Sequence, residues 1–397
     1  MPDMQEVFRM ATQKVRPDPG ALDRQLHEQR RRTLRRKTGA LLVSAAVVAA
    51  AVVFAVEASR DEPTDEGIGR PTVPTTGVMD AAIVEVDGTV RTELGLPPDA
   101  WMAELSPDGA AVYFLTHSIV GNCGNCGTAL VERLAVMPVG GADFGPDVEG
   151  AFVYIEGARG VQRDGAHRVI EHPTLSPDGT RIAFVGVRKD ETRDIYVAPL
   201  ERSPGGNPVF YARAERLTTD PADDTFPAWS RNGSTIYYEN EGAEPLDDSG
   251  FSSTQEIWRI AADGGEPTQL TDNAVPDSQP DVGPNGSIAF WRAGDIWTMG
   301  PGGEEQRTLD GVRLGLGFNP RWSPDGSKLA MLVYRDQRAH LRTSLGDVLD
   351  LPLLEVVVVD LETGGIHYVG AQVASDVNPP SWTPDGALMI NRFVPTG

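Results

Sequence analysis

The sequence reads Trp322-Ser323-Pro324-Asp325-Gly326 shortly before a strand-like apolar run, Leu329 to Val333. In such a pentapeptide the proline presets the first turn angle, the aspartate tolerates the next, and the glycine takes the positive φ that closes a hairpin. Related strings occur six times, each just before an apolar run, and they begin at Leu105, Leu175, Trp229, Val282, Trp322 and Trp382. The sequence therefore predicts six similar hairpins.

The spacing of these turns indicates a repeated structural unit. Their central Asp or Asn residues lie between 40 and 70 residues apart, and the shortest interval is close to the length of a four-stranded blade. A further strand recurs later in several units, for example Glu256-Ile257-Trp258-Arg259 and Asp295-Ile296-Trp297-Thr298. Four short strands in each of six units predict an all-β fold, a six-bladed β-propeller.

The two ends of the repeat region complement each other. The sixth unit reaches Gly397 after its first two strands, whereas Ala82 to Arg91 looks like the third and fourth strands of a unit. We therefore expect the last blade to be closed by both termini. Such a closed ring leaves no exposed sheet edges.

The Trp-Ser-Pro-Asp-Gly turns, the Asp-Ile-Trp strands and the Leu-Thr strand ends resemble the WD-like propeller repeats of the TolB family, which are also found in the propeller of prolyl oligopeptidases. The resemblance covers Met79 to Gly397 and implies the same propeller fold. The fourth copy departs from the pattern, with Val282 and Gly283 in place of the aromatic residue and the serine. No segment resembles the periplasmic α/β domain of TolB.

The chain is strongly acidic, with 57 Asp and Glu against 35 Lys and Arg and a net charge of -22. Since nucleic-acid binding requires clustered cations, this balance argues against a nucleic-acid partner for the body of the chain. Residues 1–38 are the exception, because they hold ten basic and five acidic side chains. A basic segment therefore precedes an acidic body.

An uncharged apolar stretch separates the two. Gly39 to Val56 is close to the ~20 residues that a membrane-spanning helix needs, and the cations on its N-terminal side place that side in the cytoplasm. We predict a cytoplasmic segment at 1–38, a transmembrane helix at 39–57, a disordered tether at 58–78 and an extracytoplasmic propeller at 79–397. The chain would then be a single-pass, signal-anchored protein of the bacterial plasma membrane, with a cleaved signal peptide as the alternative.

The cytoplasmic segment contains a predicted amphipathic helix. Its apolar side chains repeat at the spacing of one helical face, and they are Met4, Val7, Phe8, Ala11 and Val15. A lone helix of this length is marginal in water, so the apolar face needs a partner. A cytosolic protein and the inner leaflet of the membrane are the two alternatives.

Cys123 and Cys126 lie in a loop of glycine and asparagine. Outside the membrane such a pair favours a local disulfide that pins a hairpin tip. A redox pair would be expected at a helix N-terminus, and zinc would need two more ligands. Redox chemistry and metal binding remain the alternatives.

The sequence contains no recognisable catalytic motif. It has no Gly-x-Ser-x-Gly pentapeptide, P-loop, dinucleotide-binding glycine pattern or His-Glu-x-x-His, and this argues against peptidase activity and against a cofactor. Some TolB-like propellers are lyases that gather histidines around a metal. His117, His172 and His340 are the candidates for such a site at the channel mouth.

The densest cationic cluster of the predicted propeller lies in a predicted loop from Arg335 to Leu353. It contains Arg335, Arg338, His340 and Arg342. Because loops on a repetitive scaffold carry most binding sites, this cluster is a candidate for an anionic ligand or a partner.

These observations together favour a non-enzymatic protein. We expect the propeller to bind a protein or small ligand outside the cell and to take part in sensing or regulation through a cytosolic partner, such as a sigma-factor pathway. A membrane-anchored propeller lyase or hydrolase with a metal site is one alternative. A scaffold for envelope complexes is the other.

Overall fold

A computed structural model of the chain describes residues 76–96, 100–120, 129–139, 152–156, 170–187, 192–200, 210–242, 255–309, 317–342, 348–373 and 379–395. These residues form 25 strands, and no helix occurs among them. The strands make six antiparallel blades around a central channel, which confirms the predicted all-β propeller.

Each blade has a core of four strands, which are numbered here in chain order. Blade 1 contains β3 (Trp101–Leu105), β4 (Ala111–Val120), β5 (Ala129–Pro138) and β6 (Phe152–Glu156), and β10 (Phe210–Arg213) adds to it in parallel. Blade 2 contains β7 (Ile170–Leu175), β8 (Arg181–Val187), β9 (Arg193–Pro199) and β11 (Glu215–Arg216). Blade 3 contains β12 (Asp224–Trp229), β13 (Thr235–Asn240), β14 (Glu256–Ala261) and β15 (Thr268–Gln269).

The remaining strands form the other half of the ring. Blade 4 contains β16 (Asp277–Val282), β17 (Ile288–Arg292), β18 (Asp295–Met299) and β19 (Arg307–Thr308). Blade 5 contains β20 (Gly317–Trp322), β21 (Lys328–Arg342), β22 (Val348–Asp360) and β23 (Ile366–Val373). Blade 6 contains β24 (Ser381–Trp382), β25 (Leu388–Pro395), β1 (Thr76–Val84) and β2 (Val90–Glu93).

Blade 6 closes the ring with strands from both ends of the propeller, as predicted. β1 pairs antiparallel with β25 from Gly77 opposite Pro395 to Val84 opposite Leu388, and β2 continues the sheet beyond β1. The first strands of the six blades, β3, β7, β12, β16, β20 and β24, contact one another in that order and then return to β3. They form the wall of the channel.

The hydrophobic core is divided among the interfaces between neighbouring blades. Between blades 2 and 3, for example, Ile195 and Val197 pack with Ile236 and Tyr238, and each of these four side chains is at most 6% exposed. Burying apolar surface on both faces of every blade is what holds a propeller together. The repeated apolar runs of the sequence supply these faces.

The repeated turns have the predicted conformation. The glycine that ends each copy has a positive φ, between 68° and 91°, and Gly326 N–H donates to the carbonyl of Ser323 in a 2.9 Å hydrogen bond. In the same turn the Ser323 hydroxyl donates to Asp325 Oδ1 at 2.7 Å. The serine and the aspartate thus stabilise the hairpin from inside the turn.

The predicted loop from Arg335 to Leu353 is in fact mainly strand. After a bulge, β21 continues to Arg342, and Arg338 pairs with Pro352 on β22. The basic cluster therefore lies on an extended hairpin of blade 5, in which this part of β21 is held by its ladder with β22. Its role in binding an anionic ligand stays a prediction.

Several predicted features lie outside the described residues. These are the helical face from Met4 to Val15, the predicted transmembrane helix at 39–57, most of the tether at 58–78, and Cys123 with Cys126. In the described part of the chain there is no helix of the length and apolarity that a membrane span requires.

Candidate functional site

The wall of the channel carries the same irregularity in five of the six blades. In each first strand the pairing register shifts by a β-bulge, and one non-glycine residue there takes a positive φ. These residues are Met102, His172, Phe226, Gln279 and Asn319, with φ between 48° and 57°. A bulge re-aims side chains, and all five of these residues line the channel.

The channel encloses a cavity of about 350 Å³. All six blades contribute to its lining, and it extends to the prolines of the repeated turns, among them Pro107, Pro177, Pro324 and Pro384. A cavity of this volume is within the usual range of ligand pockets, which is roughly 300–1,000 Å³. The channel is therefore the candidate functional site.

Four charged side chains line this cavity: Glu104, Arg231, Asp281 and Arg321. An Arg321 guanidinium nitrogen lies 3.4 Å from Asp281 Oδ1, and the Trp322 backbone N–H donates to Asp281 Oδ2 at 2.7 Å. Burial raises the pKa of Glu104 to about 7, although the nearby Arg321 opposes this shift. Near neutral pH Glu104 can therefore carry or release a proton.

His172 is the one predicted histidine that the structure places in the lining of the cavity. Burial lowers its pKa to about 4, so the ring is neutral at pH 7. Its ring lies 4.0 Å from that of Phe226, and Nδ1 has no hydrogen-bond partner among the described residues. A neutral imidazole packed in this way can donate or accept one hydrogen bond.

The wall is held by hydrogen bonds that cross from one blade to the next. The Thr174 hydroxyl of blade 2 donates to Glu104 of blade 1 at 3.2 Å, and the Asn319 N–H of blade 5 donates to Gln279 Oε1 of blade 4 at 2.8 Å. The Leu105 N–H of blade 1 donates to Ser381 of blade 6. Cross-links of this kind fix the wall side chains in place before any ligand arrives.

The other two candidate histidines lie in second strands, away from the wall. His117 is on β4 of blade 1 and His340 is on β21 of blade 5. Within the described ranges, no three or more His, Cys, Asp or Glu side chains form a group that could hold a metal ion. Of the three histidines, His172 lies on a first strand at the wall, and the other two lie on second strands.

The charged residues that line the channel were not predicted, although the sequence contains a signal for them. Glu104, Asp281 and Arg321 each immediately precede the large apolar residue that begins a turn copy. Since side chains alternate along a strand, a residue next to one that packs between blades points to the channel. The wall position of every blade could therefore be read from the repeat.

Comparisons with known proteins support the fold. The structure of a TolB from Agrobacterium tumefaciens superposes with a TM-score of 0.54 at 18% identity, covering 81% of this chain and 99% of that one. An uncharacterized protein of Agrobacterium fabrum is 26% identical over 40% of this chain and 53% of its own length. No protein-family model matches the chain.

Two further relatives have names that refer to peptide hydrolysis. Tricorn protease homolog 1 of Streptomyces coelicolor is 28% identical over 50% of this chain and 18% of its own length. The uncharacterized peptidase YuxL of Bacillus subtilis is 28% identical over 30% of this chain and 16% of its own length. The chain thus spans about half of the Agrobacterium fabrum protein and less than a fifth of either peptidase.

These relatives overturn the expected function. The prediction of a non-enzymatic sensing protein is wrong, because the repeats that this chain shares with its relatives occur in proteins named as peptidases. The prediction was based on the absence of catalytic motifs. A propeller fold by itself does not indicate which reaction a protein takes part in. The predicted resemblance and fold are confirmed: the chain carries a TolB-like six-bladed β-propeller.

Proposed function

We propose that this chain acts in peptide hydrolysis as a peptidase-type propeller, and that the peptide substrate binds in the central channel. The proposal draws its reaction class from Tricorn protease homolog 1 and peptidase YuxL, whose sequences match parts of the propeller. Because the matches cover a small share of those proteins, the proposal concerns the substrate-binding part of the reaction.

The observation that carries the proposal is the chemistry of the cavity wall. A peptide has backbone donors and acceptors as well as apolar side chains, so its binding site needs both polar and apolar groups. Glu104 and Asp281 offer acceptors and Arg321 offers donors, while Met102 and Phe226 offer apolar surface. These groups face one cavity of about 350 Å³.

The proposal assigns binding to these residues and assigns no nucleophile. The sequence contains no Gly-x-Ser-x-Gly elbow, which is the nucleophile motif of α/β-hydrolases. What the channel can do is hold a peptide in a defined position. Positioning of this kind lowers the entropic cost of a later hydrolytic step.

The test uses the full chain and a tryptic digest of casein. Peptides retained by the protein are identified by equilibrium dialysis and mass spectrometry, and new fragments in the same samples report hydrolysis. The Glu104→Arg variant places a long cationic side chain in the cavity, and we expect it to weaken retention by about tenfold. Glu266→Arg makes the same change of charge at an exposed position between β14 and β15, and it should bind like the wild type.

Circular dichroism melting curves of both variants control for folding. If the wild type retains no peptide and produces no new fragments, the proposal fails. If folded Glu104→Arg retains peptides as well as Glu266→Arg does, the channel is not the binding site.

A further inference from the structure

In the described part of the chain, blade 5 holds a buried hydrogen-bond donor that lacks a partner, in a residue of the cavity wall. Asn319, on β20, is only 3% exposed and lines the channel. Its backbone N–H donates to Gln279, but its side-chain Nδ2 has no partner among the described residues. Buried polar groups are nearly always paired, so an unpaired amide in a cavity wall points to a ligand with an acceptor.

Arg321 lies two residues further along the same strand. Its guanidinium has five N–H donors, and in the described structure its side chain forms one ion pair, with Asp281 at 3.4 Å. This distance is longer than the ~2.7–2.9 Å of a strong charge-assisted hydrogen bond. Its side chain is 31% exposed, so donors remain available to a ligand in the cavity.

The two carboxylates near Arg321 accept hydrogen bonds from the cavity wall. Asp281 accepts from the Trp322 N–H as well as from Arg321, and Glu104 accepts from Thr174. Because Glu104 titrates near neutral pH, it does not hold a full negative charge there. Among these side chains, Arg321 and Asn319 therefore hold the donors that lack a strong partner.

We propose that Arg321 and Asn319 form a subsite that binds the C-terminal carboxylate of a peptide in the channel. A carboxylate has two oxygens, which suit the planar fork of a guanidinium and a neighbouring amide N–H. When a C-terminus binds in a narrow cavity, only the one peptide segment that leads to it has to enter. An internal Asp or Glu could bind there only if the peptide segments on both of its sides fitted into the same channel.

This inference rests on the proposed function, and one experiment separates the two. The full chain is titrated calorimetrically with a peptide that lacks Asp and Glu and is acetylated at its N-terminus. The peptide is made once with a free C-terminal carboxylate and once with a C-terminal amide. We expect the free acid to bind about tenfold more tightly than the amide.

Two variants assign the preference to the subsite. Asn319→Asp keeps the size of the side chain and suits a positive φ, but it places an acceptor where the donor was. Arg321→Gln removes the charge and the fork. Both should bind the acid and the amide with similar affinity, whereas Arg259→Gln, an arginine that bonds the Pro301 carbonyl outside the cavity, should retain the preference.

The ratio of the two affinities is the readout, because a general loss of folding lowers both affinities together. If neither peptide form binds to the wild type, the proposed function itself fails. If the wild type binds both forms equally, or if Asn319→Asp and Arg321→Gln keep the tenfold preference, the carboxylate subsite is wrong while peptide binding in the channel stands.

Discussion

Acidic side chains have opposite ionisation properties at the two rims of this propeller. At the turn rim, formed by the six repeated turns, Asp178 accepts from the Ser176 hydroxyl at 2.6 Å and from the Thr180 N–H at 3.0 Å. These hydrogen bonds lower its pKa to about 2, and equivalent bonds do the same for Asp325. Exposed aspartates at this rim are therefore ionised throughout the ordinary pH range.

The opposite ends of the same strands form the second rim, called here the carboxylate rim and defined by Asp224, Glu241, Glu256 and Asp277. Burial raises the pKa of Asp224 and of Glu241 to about 8, and that of Glu256 to about 7. Burial disfavours a charge wherever too few bonds compensate for lost water. The comparison teaches that the local balance of hydrogen bonds and burial, and not the residue type, decides how these acids ionise.

Asp277, on the carboxylate rim, forms an ion pair with Arg292. It is fully buried, and Arg292 donates to both of its oxygens at 2.5 Å while packing against the rings of Phe290 and Trp297. We expect Arg292→Ala to lower the free energy of unfolding by about 3–5 kcal/mol, because it leaves a buried charge without its partner. Urea denaturation followed by tryptophan fluorescence measures this.

Arg307→Ala is the matched control, since Arg307 is an exposed arginine of the same blade. Its effect should stay within about 0.5 kcal/mol. Equal losses in the two variants would show that the pair with Asp277 contributes no more to stability than a surface side chain does.

Asp224 offers a test of the burial effect. The pKa of Asp224 is raised to about 8 in the folded state. The contribution of Asp224 to the free energy of unfolding is therefore complete below about pH 4 and is lost as the pH rises to about 8. Asp224→Asn cannot ionise and keeps an acceptor for Asn240, which donates to Asp224 Oδ1 at 2.7 Å. The variant should unfold like the wild type near pH 4 and be more stable by a few kcal/mol above pH 8.

Denaturation curves of both proteins are measured from pH 4 to pH 9. The titration of the other carboxylates cancels when one unfolding free energy is subtracted from the other. A difference that stays constant over this range would contradict the raised pKa. For Asp178→Asn, at the turn rim, the difference in unfolding free energy from the wild type should stay constant from pH 4 to pH 9. The reason is that Asp178 titrates below this range.

A smaller effect distinguishes two copies of the same turn. Gly326 and Gly386 occupy the same position and have φ of 75° and 91°. A Cβ on Gly326 would lie 2.8 Å from Cγ of Pro284 in the neighbouring turn, whereas a Cβ on Gly386 would meet nothing within 4 Å. Both alanine variants are destabilised by the positive φ. The free energy of unfolding should fall by about 1–2 kcal/mol more for Gly326→Ala than for Gly386→Ala, because of the clash with Pro284.

Thermal unfolding of the two variants side by side measures this difference. Equal losses would mean that the turn of blade 4 moves aside at little cost. In that case the turn rim is less tightly packed than these distances indicate.

The closure of the ring could be predicted because it depends on strand order alone. The segment from Ala82 to Arg91 lacked a preceding turn copy, and the last copy lacked its outer strands, so pairing the two was the way to complete six equal blades. The extension of β21 through Arg335 to Arg342 was not predicted. Its polar residues read as a loop, and only pairing with β22 makes them strand.

The functional site was harder to predict than the fold. Glu104, Asp281 and Arg321 lie far apart in the sequence, and the repeat marks only their position before a turn copy. Their meeting depends on six first strands that circle one axis and on the bulges that turn side chains toward it. Catalytic motifs are local patterns, and the absence of one from this sequence led to the wrong expectation of a non-enzymatic protein.

The sequence by itself determined the turns, the number of blades and the way they close, because turn chemistry and strand alternation act between neighbours in the chain. Only the tertiary structure decided which acids are buried, which glycines are crowded and which charges share the channel. Those properties depend on distances between blades, and burial and Coulomb interactions act through space, regardless of separation along the chain.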